Sequence, residues 1–367
     1  MTRNPGPAAL VRPEILAGSP YRVQPVGDAI KLDAMEAPEG LPAELHAAWQ
    51  EAVTAVAWNR YPDGSGAQLK ERLVAHFGGG GPEHLLLGNG SDEIIQMLAQ
   101  ALARPGARML TVEPGFGIYA IAARTAGMTY TAVDLAPEDF RLDRQRLWEA
   151  VERERPALVF IANPNNPTGN CFPRELLLEL AEAVPGLVVV DEAYFPYTEA
   201  SLLDRAGRPA NLAVLRTLSK AGMAGLRLGW LTAAPDWIDA LERVRMPYNI
   251  NALSQAAAVF ALDHPDWWRE LTGNIRRERE GLKAALAEIP QVTVWPSEAN
   301  FLLVRVADAP AVHAGLRERG VLVKLLEGQH PTLAGCLRLT VGTASENRLL
   351  LDALNASLAE AAGQATR

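Results

Sequence analysis

Short apolar segments alternate along the chain with longer segments whose apolar residues recur every three or four positions. Five of the apolar segments predict buried strands, at residues 85–87, 108–112, 158–162, 187–190 and 212–215. The helical spacing predicts helices over 45–58, 68–77, 94–102, 118–126, 142–155, 173–184, 237–245 and 254–263. Strands that alternate with helices are typical of an α/β fold with a mostly parallel central sheet and helices on both faces.

A smaller α+β unit is predicted in the last third of the chain. A long amphipathic helix over 267–289 precedes strands at 292–295, 301–306, 321–325 and 337–341 and helices at 311–319 and 344–362. Because 367 residues exceed the length at which one core keeps growing, two domains are expected. The predicted division is an arm and part of the small domain at 1–42, with residues 1–20 extended, a large domain at 43–251 and a small domain at 252–367.

Composition and charge exclude several classes of protein. Hydrophobic residues make up 49% and charged residues 21%, as in ordinary globular proteins. A formal net charge of -8 makes nucleic acid a poor partner. Cys171 and Cys336 form neither a disulfide framework nor a zinc-ribbon pattern, and no metal is expected. Since no apolar run approaches a membrane span or a signal-peptide core, the sequence predicts a soluble cytoplasmic protein.

Residues of different chemical types directly follow the five predicted strands. The carboxyl ends of parallel strands meet at one edge of a sheet, where ligands bind, so these residues are expected to converge. They are Ser91, Phe116, Asn166, Asp191 and Lys220.

Two of these segments predict a phosphate site beside an amine. The turn at 88–93 leads into a helix start, whose free N–H groups attract anions. Thr217, Ser219 and Arg227 surround Lys220 in the sequence, and hydroxyl and guanidinium donors suit phosphate oxygens. An amine beside a phosphate predicts a Schiff base with pyridoxal phosphate, with Asp191 opposite its ring nitrogen. The sequence contains no GxGxxG after a predicted strand, so it does not favour a dinucleotide site. It also contains no GxxxxGK[ST], so it does not favour a P-loop.

Each feature taken alone also has an ordinary structural explanation. Ser91 suits the N-cap of a helix with acidic residues in its first turn, and Asp191 suits a cap of the next element. Lys220 suits a solvated loop, and Phe116 and Tyr21 suit packing positions. Only the complete set, in chain order, favours the cofactor site.

Three motifs resemble the fold-type I, class I/II pyridoxal-phosphate aminotransferases over essentially the whole chain. They are NPNNPTG (163–169), DEAY (191–194) and TLSKAGMAGLRLG (217–229). Within that superfamily the chain most resembles the histidinol-phosphate aminotransferase family. This narrower resemblance rests on SPY (19–21), RYPDGSG (60–66), GNGSDEII (88–95), RTLSK (216–220) and GCLRLTVGT (335–343).

The resemblance implies a role for each cofactor-binding residue. Lys220 would form the Schiff base and move the proton, and Asp191 would pair with the ring nitrogen. Tyr194 and Asn166 would bond the 3′-oxygen, and Phe116 would stack on the ring. The phosphate would be held by Thr217, Ser219, Arg227 and the amides at Ser91 and Asp92.

The resemblance also implies a substrate site shared between two subunits. Tyr61 would reach the neighbouring subunit's cofactor phosphate in an obligate homodimer, and Arg338 would bind the substrate's anionic group. Tyr21 would close over the substrate. Two departures from the family concern the substrate part of the site. Lys324 stands where the family often has Arg, and residues 35–38 read Met-Glu-Ala-Pro instead of Asn-Glu-Asn-Pro.

The reaction implied is ping-pong transfer of an amine from L-histidinol phosphate to 2-oxoglutarate, giving imidazole acetol phosphate and L-glutamate in histidine biosynthesis. One alternative is an aminotransferase of the same fold for aromatic or aliphatic amino acids. A second is a decarboxylase of that fold for a phosphorylated amino acid. A third, from a different class, is a non-catalytic ligand-binding regulator built on the fold.

Overall fold

The computed structural model describes residues 6–18 and 27–365. The strands within those residues are β1 (Ile30–Leu32), β2 (Leu85–Asn89), β3 (Arg108–Glu113), β4 (Thr129–Asp134), β5 (Leu158–Ala162), β6 (Leu187–Asp191), β7 (Leu212–Thr217), β8 (Leu228–Thr232), β9 (Thr293–Val294), β10 (Phe301–Arg305), β11 (Val321–Leu325) and β12 (Cys336–Thr340). The helices are α1 (Pro7–Leu10), α2 (Pro13–Leu16), α3 (His46–Thr54), α4 (Ala67–Phe77), α5 (Ser91–Leu102), α6 (Ile118–Ala126), α7 (Arg144–Glu154), α8 (Arg174–Ala183), α9 (Pro235–Glu242), α10 (Ala252–Asp263), α11 (Pro265–Ala287), α12 (Ala309–Glu318) and α13 (Ala344–Ala365).

Seven strands form the large sheet, in the order β2-β8-β7-β6-β5-β3-β4. Only β8 runs antiparallel to its neighbours, so the five strands predicted to carry functional residues all point the same way. Their carboxyl ends therefore lie along one edge of the sheet. The predicted α/β fold with a mostly parallel sheet is confirmed.

Side chains of the central strands alternate between two hydrophobic cores. In β5, Val159 and Ile161 enter one core, whereas Leu158 and Phe160 enter the other. Such alternation follows from the pleat of a strand, and it buries both faces of the sheet. This explains why these segments contain almost no polar residue until they reach the sheet edge.

The smaller sheet has the order β1-β11-β12-β10-β9 and packs against α11, α12 and α13. Strand β1 places residues from the N-terminal region in this sheet, parallel to β11. Helix α10 packs its buried residues against α4, next to the large sheet. The predicted domain limits stay a prediction, and this packing favours a division beyond Asp263.

Two local predictions were wrong, and one strand was not predicted. The extended arm contains the short helices α1 and α2, each with a proline in its first turn, a position where the missing N–H costs nothing. Helix α3 ends at Thr54, earlier than residue 58. Strand β8 was not predicted, because it begins only at the end of the motif 217–229 and Gly229 interrupts its short apolar run.

The close fit of Gly229 explains why β8 carries a glycine. A Cβ atom there would lie 2.5 Å from the backbone nitrogen of Ser91, closer than two such atoms can approach. Gly229 therefore lets β8 pass directly beneath the start of α5.

Among the helices of residues 6–18 and 27–365, none combines the length and apolar character that a membrane crossing needs. The same residues contain no cluster of His, Cys, Asp and Glu side chains suited to a metal ion.

Candidate active site

A cavity lies at the carboxyl edge of the large sheet, where the five functional segments converge. Its lining includes the following predicted cofactor residues: Ser91, Asp92, Phe116, Asn166, Asp191, Tyr194, Thr217, Ser219, Lys220 and Arg227. Met35, Tyr119, Ala162 and Ala193 complete the lining. Residues far apart in the sequence are thus brought to one site by the strand directions.

Lys220 reaches this cavity from the turn Leu218–Lys220 that follows β7. Burial, and then the positive charge of Arg338, lower the pKa of its amine to about 8 from 10.5. The amine donates a hydrogen bond to the Ala34 carbonyl at 3.2 Å. A lysine with so low a pKa has an appreciable fraction of free amine near neutral pH, as a nucleophile or proton carrier requires.

Asp191 is the last residue of β6 and is 3% exposed. Its carboxylate accepts hydrogen bonds from the Tyr119 hydroxyl at 2.8 Å and the Ala193 amide at 3.0 Å. Burial raises the pKa of Asp191 to about 6 from 3.8, because it disfavours the charged carboxylate by more than these two hydrogen bonds stabilise it. A buried carboxylate of this kind fits a cationic ring nitrogen, whose charge would offset the cost of burial.

Tyr119 is a site residue that sequence reasoning missed. Its ring stacks on Phe160 at 4.7 Å and meets Phe116 edge-on at 5.5 Å, which aims the hydroxyl at Asp191. Phe116 lies before the first residue of α6, so helical spacing from it gave no signal for Tyr119.

Asn166 connects the cavity to Arg338. Its amide nitrogen donates to the Tyr194 hydroxyl at 3.1 Å, and its amide oxygen accepts from Arg338 at 2.6 Å. Arg338 is buried on β12, and its other terminal nitrogen donates to the Asp33 carbonyl at 2.8 Å. The two sheets thus each contribute to one polar network, with the guanidinium on the small-sheet side.

An anion-binding arrangement lies at the start of α5. The helix begins at Ser91, with Gly90 as N-cap, so the alternative of Ser91 as the capping residue is wrong. Gly90 has a φ of +77°, and a Cβ there would fall 2.4 Å from the Arg227 guanidinium. Arg227 also approaches the Ser219 hydroxyl and the Asp92 carboxylate, each at 3.4 Å. Helix N–H groups, a hydroxyl and a guanidinium are the donors that a phosphate needs.

Two of the predicted substrate residues, Tyr61 and Lys324, do not line this cavity. Tyr61 is 80% exposed and stacks on Tyr248 at 4.6 Å, outside the cavity. Lys324 on β11 lies directly across from Arg338 on β12. Tyr21 falls outside the described residues.

The chain belongs to the class I and II aminotransferase family, whose model matches residues 28–354. It is 50% identical to a histidinol-phosphate aminotransferase of Chromobacterium violaceum, over 94% of this chain and 97% of that protein. It is 47% identical to histidinol-phosphate aminotransferase 2 of Nitrosococcus oceani, over 95% of this chain and 97% of that one.

Among solved structures, the fold resembles a histidinol-phosphate aminotransferase of Sinorhizobium meliloti in complex with pyridoxal-5′-phosphate. The TM-score is 0.85 at 28% identity, with 95% of this chain and 97% of the other covered. These similarities confirm the fold and the family that the sequence motifs predicted.

Proposed function

We propose that the protein is a pyridoxal-phosphate-dependent histidinol-phosphate aminotransferase of histidine biosynthesis, active in the cytoplasm. It would convert L-histidinol phosphate and 2-oxoglutarate into imidazole acetol phosphate and L-glutamate. The near full-length identity of 50% to a histidinol-phosphate aminotransferase supports this reaction. The observation that carries the chemistry is the cavity in which a buried amine of lowered pKa accompanies a buried carboxylate of raised pKa.

Pyridoxal phosphate, when bound, supplies an aldehyde that bonds to amines and a ring that withdraws electrons from the substrate carbon. Asp191 would keep a proton on the ring nitrogen, which strengthens that withdrawal. Lys220 would bond to the aldehyde in the resting enzyme and then carry the proton between substrate and cofactor carbons, since its amine is buried and partly unprotonated.

The other lining residues would orient the cofactor. Asn166 and Tyr194, already hydrogen-bonded to each other, would bind the ring oxygen. Phe116 would pack on the ring face. The α5 amides at Ser91 and Asp92, with Thr217, Ser219 and Arg227, would hold the phosphate. The Asp92 carboxylate faces Arg227 at 3.4 Å, an arrangement that lessens its repulsion of a phosphate.

Arg338 would bind the anionic group of both substrates, the phosphate of histidinol phosphate or a carboxylate of glutamate. For Arg338→Gln we expect kcat/KM to fall about 10- to 100-fold for both donors, because a hydrogen bond to a charged group contributes about 1.5–3 kcal/mol. Steady-state kinetics with each donor would measure this. An unchanged kcat/KM for both donors would contradict a substrate-binding role for Arg338.

We also propose that the enzyme is a homodimer in which Tyr61 completes the neighbouring subunit's site. Tyr61 does not line the cavity of its own subunit, and its side chain is exposed, so a partner subunit could contact it. Exposed apolar side chains near it in sequence or in space support such an interface: Trp58, Met246, Tyr248 and Leu253.

Mixing two inactive variants tests the shared site. Subunits with Lys220→Ala and subunits with Tyr61→Ala should regain activity when refolded together, because each mixed dimer then holds one site with both residues intact. Activity assays before and after mixing would show this. If Tyr61 instead acts within its own subunit, each chain of the mixed dimer still lacks either Lys220 or Tyr61. Neither site is then intact, and no activity returns.

The proposed reaction is tested by assaying the purified holoenzyme with several donors. With 2-oxoglutarate as acceptor, L-histidinol phosphate should give glutamate far faster than L-phenylalanine does. Faster reaction with phenylalanine would assign the protein to the aromatic aminotransferases. Release of carbon dioxide from a phosphorylated amino acid, without a keto acid, would assign it to the decarboxylases.

A further inference from the structure

Tyr197 contacts the main chain of Lys220 from a neighbouring turn. It is the last residue of the turn Phe195–Tyr197, which follows Tyr194, and it is 1% exposed. Its hydroxyl donates a hydrogen bond to the Lys220 carbonyl oxygen. Burial raises the pKa of this phenol, so the hydroxyl keeps its proton as a donor.

Hydrogen bonds on either side of Lys220 set the direction of its side chain. One residue earlier, the Ser219 amide donates to the Thr217 hydroxyl at 3.1 Å. On the following side, the Ala221 amide donates to the Leu218 carbonyl at 3.0 Å, and the Lys220 carbonyl receives the Tyr197 hydroxyl. Tyr197 is thus the side chain that fixes the peptide between Lys220 and Ala221.

The turn that carries Tyr197 is itself anchored to the long helix α11. Arg276 donates to the Pro196 carbonyl at 2.9 and 2.6 Å, and Arg279 donates to the Tyr197 carbonyl at 3.4 Å. The Tyr197 ring belongs to a buried apolar cluster with Ile275 and Phe301. The backbone contacts of the turn and the packing of the ring together fix the position of the Tyr197 hydroxyl.

We propose that Tyr197 is a positioning residue that holds the Lys220 peptide so that the lysine amine reaches its reacting position. The inference rests on the proposed function only in taking Lys220 as the reacting amine. Displacing a reacting group by about 1 Å can slow a reaction roughly 100-fold, so one hydrogen bond to this peptide has a measurable effect. Tyr197 touches neither the substrate nor the cofactor in this assignment.

The test uses Tyr197→Phe, which removes the hydroxyl and keeps the buried ring. In the holoenzyme we expect amine transfer in a single turnover to slow about 10- to 100-fold, with L-glutamate and with L-histidinol phosphate alike. We also expect a shifted pH midpoint for the absorbance of the lysine-bound cofactor, while cofactor content stays normal. Tyr130→Phe is the matched control, because that hydroxyl donates to Glu113, away from the cavity.

A folded Tyr197→Phe enzyme with wild-type rates and midpoint would overturn the proposal. A slowed reaction with only one donor would also overturn it, since the hydroxyl would then act on a substrate. If Tyr197→Phe does not fold, Arg276→Gln, which loosens the same turn, must slow amine transfer with both donors and shift the midpoint from its wild-type value, or the proposal fails. If histidinol phosphate is not a substrate, the glutamate rate and the midpoint still decide the role of Tyr197.

Discussion

Lys220→Ala should abolish turnover while leaving a folded protein that still binds pyridoxal phosphate. The expected loss is at least about 10³-fold, because general acid–base catalysis alone contributes about 10²- to 10⁴-fold and the covalent bond to the cofactor is lost as well. The fold should survive, because the lowered pKa shows that the lysine's charged form is disfavoured in its buried position. Activity, cofactor content and thermal unfolding would be measured on one preparation.

Lys283→Ala is the matched control for this variant, since its amine pairs with Glu280 on the surface of α11. The control should keep full activity and the absorbance of the lysine-bound cofactor. Normal turnover in Lys220→Ala would contradict the assignment of Lys220 as the reacting amine.

Asp191→Asn has the second largest expected effect. An amide cannot hold a proton on the ring nitrogen by charge, and removing one partner of a buried ion pair costs about 3–5 kcal/mol. If that cost falls on the transition state, kcat/KM decreases roughly 10²- to 10⁴-fold. Stopped-flow measurement of amine transfer would show the decrease in the chemical step. Transfer at the wild-type rate would mean that Asp191 does not contact the ring nitrogen.

The cofactor-free protein provides an independent measurement on Asp191. In the folded chain its pKa is about 6, whereas in the unfolded chain it is near 3.8. The unfolded state therefore binds fewer protons between these values, so this group lowers the free energy of unfolding as pH rises through that window. Asp191→Asn should remove this part of the pH dependence, as followed by thermal unfolding.

The cofactor half of the site could be predicted from sequence because its residues follow buried strands. A run such as 187–190 has one plausible burial pattern, and a parallel sheet brings the strand ends together whatever the details of the loops. Asp191, Asn166 and Lys220 therefore line one cavity, as the pattern predicted.

The rest of the site depends on contacts that no local pattern reveals. Tyr119 lies within an amphipathic helix, where its hydroxyl bond to Asp191 appears only once α6 packs on the sheet. Arg338 contacts Asn166, a residue of the cavity lining, because β12 of the small sheet faces the loop that carries Asn166, and this depends on how the two sheets pack. The role of Tyr61 depends on a second subunit and stays a prediction.

The N-terminal segment at Asp33 and Ala34 was also outside the reach of sequence patterns. Its carbonyls accept hydrogen bonds from Arg338 and Lys220, so two cationic side chains contact this segment. Met35 follows with a φ of +54°, a left-handed conformation that is uncommon for methionine, and it lines the cavity. Periodicity predicts neither feature, since both arise from irregular backbone between β1 and α3.

The role of Lys220 is tested most directly by locating the bond between cofactor and protein. The purified holoenzyme would be reduced with borohydride, digested and examined by peptide mass spectrometry. We expect a pyridoxyl phosphate label on the peptide that contains Lys220, and loss of that label after prior treatment with L-histidinol phosphate. A label on another lysine, or a Lys220 label that this substrate does not remove, would contradict this role.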